Sequence, residues 1–314
     1  MSERRYKHLY GPVPSRRLGR SLGVDLVPYK ICTYDCIYCQ VGKTTTKTVR
    51  RAEYVPTEEV LAELRQALAE PDPCDYVTLS GSGEPTLHRD VDRIITAIKA
   101  VTDIPVAVLT NGALLYEPEV RRALLPADLV APSLDAGDAQ TFQRINRPCP
   151  EISFERMVDG LKAFRREYTG QLRLEVLFCA GINDGDEQVG RIRAIIDEVN
   201  PDRIDVNTVT RPPAEAQAQA VPPDRLAHIC RLLGPKAHPI AGGPEVSDRA
   251  GPITAADILA LLNRRPCTLE DLVAGLRCHR WEAVKLLERL CRAGRVRSRQ
   301  QDGKAYYLAS NRPE

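Results

Sequence analysis

Six short apolar stretches, each leading into a helical one, constrain this chain more than any other feature. The apolar stretches are Ser21–Val27, Tyr76–Leu79, Val106–Leu109, Leu129–Leu134, Leu172–Cys179 and Ile204–Val209. Helical patterns follow over Thr57–Ala69, Val91–Val101, Pro118–Leu124, Ser153–Arg166, Val189–Val199 and Pro223–Leu232. In Thr57–Ala69, Val60, Leu61, Leu64 and Leu68 share one face at helical spacing. Such strict alternation predicts a parallel sheet with right-handed crossovers. Six units fall short of the eight in a closed barrel, which leaves an open partial barrel or a doubly wound sheet. The expected class is α/β, a partial (βα)6 TIM-like barrel. Residues 1–20, with two prolines and two glycines in Gly11–Arg20, are expected to be a loop.

Composition changes near residue 240. Ala241–Pro244 and Gly251-Pro252 read as a linker. After it come helical stretches at Ala255–Asn263, Thr268–Leu276 and Arg280–Ala293. A hairpin over Val296–Leu308 follows, with Asp302-Gly303 as its turn. Three helices and a hairpin predict a C-terminal winged helix-turn-helix domain. The expected domains are residues 1–245 and 252–314.

Polar and glycine-rich motifs recur where strands end, the edge on which α/β folds place their chemistry. The chain has ten cysteines, and three are clustered: Cys32, Cys36 and Cys39, spaced C-x3-C-x2-C. The other seven are scattered and read as small buried residues. Thiolates bind iron–sulfur clusters, and a cubane has four irons. Three cysteines satisfy three of them and leave one open, the mark of a reactive rather than a sealed site. A structural zinc would need a fourth protein ligand, and the nearest histidines in sequence are His8 and His88.

With these motifs in this order, roughly residues 20–215 resemble the radical S-adenosylmethionine (SAM) superfamily. The resemblance implies a [4Fe-4S] cluster on Cys32, Cys36 and Cys39 and a SAM molecule on the open iron. It implies that Tyr38, just before the last cysteine, sits by the SAM adenine. Ser80–Leu87 looks like the Gly-Gly-Glu motif that holds the SAM amino group, with Ser82 inserted between its glycines and Gly83-Glu84 intact. Asn111, at the end of the third strand, and Ser133 and Asp135, at the end of the fourth, resemble positions that contact SAM's ribose or carboxylate. Asn183, after the fifth strand, resembles the adenine-side segment. The implied chemistry is reductive cleavage of SAM to a 5′-deoxyadenosyl radical that takes hydrogen from a substrate. The segments Gly11–Arg20 and Cys36–Gly42 resemble a group placed with wyosine-forming tRNA enzymes. Those enzymes carry a second cluster on upstream cysteines, and here no cysteine precedes Cys32.

The net charge of +2 does not demand a nucleic-acid partner, so any such partner must be argued from local patches. Arg16, Arg17 and Arg20 precede the first strand, Lys43, Lys47, Arg50 and Arg51 follow the cysteines, and Arg211 ends the sixth strand near the predicted mouth; together they suit the phosphate groups of an RNA or a small anionic substrate. In the hairpin, Arg295, Arg297, Arg299, Lys304, Tyr306 and Tyr307 suit either a phosphate contact or a protein or peptide surface. The expected partners are a flavodoxin- or ferredoxin-type electron donor and an RNA or peptide substrate docked by the winged helix; a small-molecule substrate is the alternative. A second alternative is a DNA-binding regulator whose cluster senses redox state. The first residues lack the apolar core of a secretory signal and no run is long enough to span a membrane, so the expected location is the cytoplasm.

Overall fold

A computed structural model describes residues 6–15, 17–69, 74–240, 253–276, 278–301 and 303–310. The expected linker segments, Arg16 and Asp302 lie outside them. The chain opens with an antiparallel pair, β1 (Leu9–Ser15) and β2 (Gly19–Val24). Two short strands, β3 (Ile31–Cys32) and β4 (Thr46–Lys47), frame the cysteine loop. Then come α1 (Thr57–Leu68), β5 (Tyr76–Leu79), α2 (Val91–Val101), β6 (Val106–Thr110), α3 (Pro118–Leu124) and β7 (Leu129–Pro132). They are followed by α4 (Ala139–Ile145), α5 (Phe154–Glu167), β8 (Gln171–Phe178), α6 (Asp186–Val199), β9 (Arg203–Thr208), α7 (Pro223–Leu233) and β10 (Ala237–Pro239).

One eight-stranded sheet runs in the order β1-β2-β5-β6-β7-β8-β9-β10. Every neighbouring pair from β2 to β10 is parallel. The order never reverses, whereas a doubly wound sheet reverses at its switch point. The sheet is therefore wound in one sense, as a barrel left open between β1 and β10. Its middle strands are buried on both faces, as parallel strands between helices and a filled interior must be. In β8 the two faces are distinct: Leu172, Leu174, Val176 and Phe178 are buried in the main core, while Glu175 and Leu177 line an interior cavity. Helix α2 buries Val91, Ile94, Ile95 and Ile98 at helical spacing.

The structure corrects the expected loop at residues 1–20. Leu9–Ser15 is an edge strand whose pairing slips between Tyr10 and Val13. An edge position tolerates Pro12 and Pro14, because one side of the strand needs no N–H donors. Two further elements carry no clear sequence signal. Helix α4 has only seven residues, started by Asp138 capping the Thr141 amide, and β10 has three.

After residue 252 come α8 (Ala255–Leu262), α9 (Leu269–Leu276), α10 (Arg280–Arg292) and a hairpin of β11 (Val296–Gln301) and β12 (Lys304–Ala309). Helix α8 starts with a capping box between Thr254 and Asp257. Ile258, Leu262, Leu272, Leu287 and Leu290 form a second apolar cluster that takes in Val13 of β1. Tyr306 is buried, and its hydroxyl donates to the Thr210 carbonyl just after β9 at 2.8 Å. The C-terminal elements thus reach from β1 to the end of β9 and close the open side of the barrel. Tyr306, expected on an outer docking surface, faces inwards because that closure needs it.

Gly160 of α5 shows how tightly a helix seats the chain that leaves β6. A methyl group there would lie 2.4 Å from the Tyr116 backbone nitrogen. Gly160→Ala gains about 1 kcal/mol of helix propensity but incurs about 1–3 kcal/mol of overpacking against rigid backbone. A net loss is expected, seen as a lower urea midpoint with an unchanged slope.

Candidate functional site

The cysteine loop is held by backbone bonds to the chain after α4. The Asp35 amide donates to Asn146 O at 3.0 Å, Ile37 to Ile145 O at 3.0 Å, and Cys149 to Thr33 O at 2.9 Å. These bonds fix the loop at the C-terminal mouth of the sheet. Cys32, Cys36 and Cys39 are free and partly buried there. Each sulfur meets an N–H donor from a different element. Asn111 Nδ2 lies 3.5 Å from Cys32 Sγ, Asn146 Nδ2 lies 3.5 Å from Cys36 Sγ, and Lys30 Nζ lies 3.1 Å from Cys39 Sγ.

The electrostatics follow from this arrangement. Burial pushes the Cys32 thiol up to about 11, with the Lys30 charge pulling the other way. Burial also lifts the Cys36 thiol well above its ordinary value, reinforced by Asp135. Burial acts on Cys39 as well, but the Lys30 ammonium and the Val41 and Gly42 amides outweigh it and hold that thiol low. Lys30 is 3% exposed, and although burial opposes its charge, the cysteines hold its ammonium above the ordinary range.

Among the described residues, no three His, Cys, Asp or Glu side chains converge as a single metal ion requires. A cubane makes a different demand, because its cysteines bind separate irons. The donor set fits that demand: three thiols from one loop, with N–H groups aimed at all three sulfurs. Such donors stabilise the anionic sulfur.

Glu84 is 2% exposed beside this loop. Its Oε1 accepts from Thr86 N at 3.0 Å, Thr86 Oγ1 at 2.6 Å and Thr110 Oγ1 at 2.6 Å. Among the described residues its Oε2 accepts from Asn111 N alone, at 2.8 Å, which leaves acceptor capacity on that oxygen. Burial raises its pKa against the pull of these donors. Gly83 is required by close approach: a Cβ there would lie 1.9 Å from the Ile31 carbonyl. The inserted Ser82 has a clear anchor, since its amide and hydroxyl donate to Asp25 at 2.9 and 2.6 Å. Asp25 in turn pairs with Arg264 of the C-terminal elements at 3.3 Å.

Asp135 is 3% exposed and joins several of the expected residues. It accepts from the Tyr38 hydroxyl, from Asn146 Nδ2 at 2.8 Å and from Leu177 N at 2.9 Å. Burial pushes its carboxyl up to about 6 against these bonds. Asn111 also donates to Thr33 Oγ1 at 2.7 Å. Asn183 stands apart from the others. It is wholly buried, donates to the Asp135 and Leu177 carbonyls at 2.8 Å, and accepts from Cys179 N at 2.7 Å. Its amide therefore braces two strand ends. Ser133 bridges to Glu175 through the backbone and makes no side-chain hydrogen bond to a described residue.

A cavity of about 330 Å³ opens beside the loop. Its wall runs from Tyr38 and Cys39 past Ser80 and Glu175 to Arg211 and Arg264. Lys30, Asn146, Asp25 and Arg264 had not stood out in the sequence, for each is a single polar residue outside any motif.

The model of the Radical SAM superfamily matches residues 26–193, more than half of the chain. This chain belongs to the radical SAM superfamily. It is 39% identical over 313 residues to a Brachyspira hyodysenteriae protein named GTPase Obg, covering 98% of this chain and 46% of that protein. It thus spans less than half the length of that relative. UPF0026 protein MJ1312 of Methanocaldococcus jannaschii is 30% identical over 309 residues, 95% of each chain. A Helicobacter pylori UPF0026 protein is 36% identical over 276 residues, 84% of this chain and 86% of that one. The fold is shared with a radical SAM methyltransferase from Sphaerobacter thermophilus, at TM-score 0.51 and 16% identity over 70% of this chain and 66% of that one. It is likewise shared with native anSMEcpe with bound AdoMet, at TM-score 0.51 and 15% identity over 68% and 58%. These likenesses agree with the partial-barrel reading of the sheet.

The Gly83 contact makes a prediction for this radical SAM site. Gly83→Ala forces its loop away from the cysteine loop, where the overlap is with backbone. After anaerobic reconstitution the variant should hold less than about a quarter of the iron that the parent holds. Equal iron content in the two proteins would show that the contact does not fix the cluster loop.

Proposed function

We propose that this protein is an enzyme that binds a [4Fe-4S] cluster on Cys32, Cys36 and Cys39 and SAM on the iron they leave open. The observation that carries this reading is the set of N–H donors on all three sulfurs, beside a buried carboxylate with acceptor capacity to spare. When bound, the cluster and SAM supply reductive cleavage of the sulfonium to methionine and a 5′-deoxyadenosyl radical, which takes hydrogen from a substrate.

The chain's own residues hold and orient these groups. Asn111, Asn146 and Lys30 stabilise negative charge on the sulfurs. Glu84 offers Oε2 to the SAM ammonium, a charge-assisted contact. Tyr38, tethered through its hydroxyl to Asp135, offers its ring to the adenine. Asn111 and Ser133 stand at strand ends suited to the ribose or carboxylate. Asn183 acts one step back by fixing the Asp135 backbone.

We read residues 1–245 as the radical SAM part-barrel and 252–314 as a winged helix-turn-helix. The three helices and hairpin after residue 252 support this division. Among the described residues no helix is long and apolar enough to cross a membrane. In this reading the enzyme works in the cytoplasm with a flavodoxin- or ferredoxin-type electron donor.

The test is anaerobic reconstitution followed by reduction in the presence of SAM. The parent should be brown and form 5′-deoxyadenosine, and Cys36→Ala should lose both properties. Glu84→Gln should keep its iron but bind SAM ~10–100-fold more weakly, the size expected for a lost charged hydrogen bond. A colourless, iron-free parent after reconstitution would end this reading.

A further inference from the structure

The cavity beside Cys39 is cationic, and part of its wall comes from the far end of the chain. Four guanidinium groups, from Arg17, Arg211, Arg264 and Arg265, line it with one carboxylate, Glu175. Arg17 is paired with Glu175, which also accepts from Asn207. Arg264 pairs with Asp25 and Arg211 with Asp271, each at 3.3 Å. Asp25 and Asp271 are not part of the lining. Arg265 has no carboxylate within ion-pair distance among the described residues; burial opposes its charge, and Cys267 and the more distant Asp271 hold it. Among the described residues, four guanidiniums thus share three carboxylates, with Asp271 serving both Arg211 and Arg265.

The polar contacts are incomplete as well. The Arg211 side chain is 9% exposed, yet its Nε is buried with no hydrogen-bond partner among the described residues. The Arg264 Nε is buried too, and among the described residues it has only the Asp25 ion pair. Burial and the neighbouring Arg265 push the Arg211 pKa down, as expected for crowded cations. Retaining such groups in a protein interior is costly unless an anion completes them.

We propose that this cavity is the substrate site and that Arg211, Arg264 and Arg265 grip a phosphate or carboxylate on a small substrate. Guanidinium forks match both groups. The volume is at the low end for small-molecule pockets, about 300–1,000 Å³. Of the residues assigned above to SAM, Glu84, Asn111 and Ser133 are absent from the cavity wall, while Tyr38 stands in it beside Cys39, where the cavity meets the cysteine loop. Leu261 lies in α8 and Arg264 and Arg265 follow it, so the C-terminal elements complete the site instead of docking a macromolecule outside it. That this anion is the substrate of the radical step rests on the function proposed above; that the cavity binds an anion does not.

The test uses iron-loaded, SAM-saturated full-length protein, titrated anaerobically with inorganic phosphate and with malonate at matched ionic strength. The parent should bind at least one of them saturably, and Arg265→Gln should weaken that binding at least tenfold while SAM affinity stays within threefold. Arg265→Lys, which keeps the charge, should recover part of the loss. The preferred probe identifies the group as phosphate or carboxylate. Absence of saturable binding of either anion overturns the proposal, as does equal weakening by Lys and Gln. Parallel loss of SAM affinity also overturns it, because the guanidiniums then hold the carboxylate of SAM. Should the parent bind the anion but never cleave SAM, the function proposed above fails and the anion site stands.

Discussion

Three cysteine sulfurs crowded into one partly buried loop repel each other once they ionise, and the site is arranged to answer that repulsion. The answer comes from three directions. Lys30 precedes the loop, Asn111 follows β6, and Asn146 follows α4. The same amides reach onward, Asn111 to Thr33 and Asn146 to Asp135. Asp135 then holds Tyr38. The groups that stabilise the sulfurs therefore also fix the ring and the carboxylates around them. Moving any one of these elements would disturb both electrostatics and shape.

Much of this was legible in the sequence, and the reason is local spacing. C-x3-C-x2-C places three ligands on one loop whatever the rest of the chain does. Apolar strands and helical faces repeat at their own periods, so the order of elements and the parallel sheet could be read directly. Glu84 was legible because Gly83 precedes it, and the Ile31 carbonyl leaves no space there for a side chain. What remained hidden depends on distant partners. β1 looks like a loop because its prolines are acceptable only at an edge. Helix α4 is too short to show a period. Lys30 and Asn146 are ordinary polar residues until the fold brings the cysteines to them. The partners of the Asn183 amide, the Asp135 and Leu177 carbonyls, come from other strand ends that its own segment does not reveal.

The C-terminal elements illustrate the same limit on a larger scale. Their helices and hairpin are plain in the sequence, but which face they present is set by where they pack. Val13 enters their apolar cluster, Tyr306 reaches Thr210, and Arg264 meets Asp25 with its guanidinium 4.3 Å from the Tyr10 ring centroid. The inner face of this segment thus closes the open side of the barrel. Through Asp25 and Ser82 it also touches the loop that carries Glu84, so the two ends of the chain meet at one site.

The central claim is that three cysteines leave one iron for SAM to bind. Electron–nuclear double resonance on the reduced, anaerobic protein addresses this directly, using SAM labelled with nitrogen-15 in the amino group and oxygen-17 in the carboxylate. The account predicts that both labels couple to the cluster. Coupling of neither label, with a fourth protein side chain bound to that iron, would contradict it.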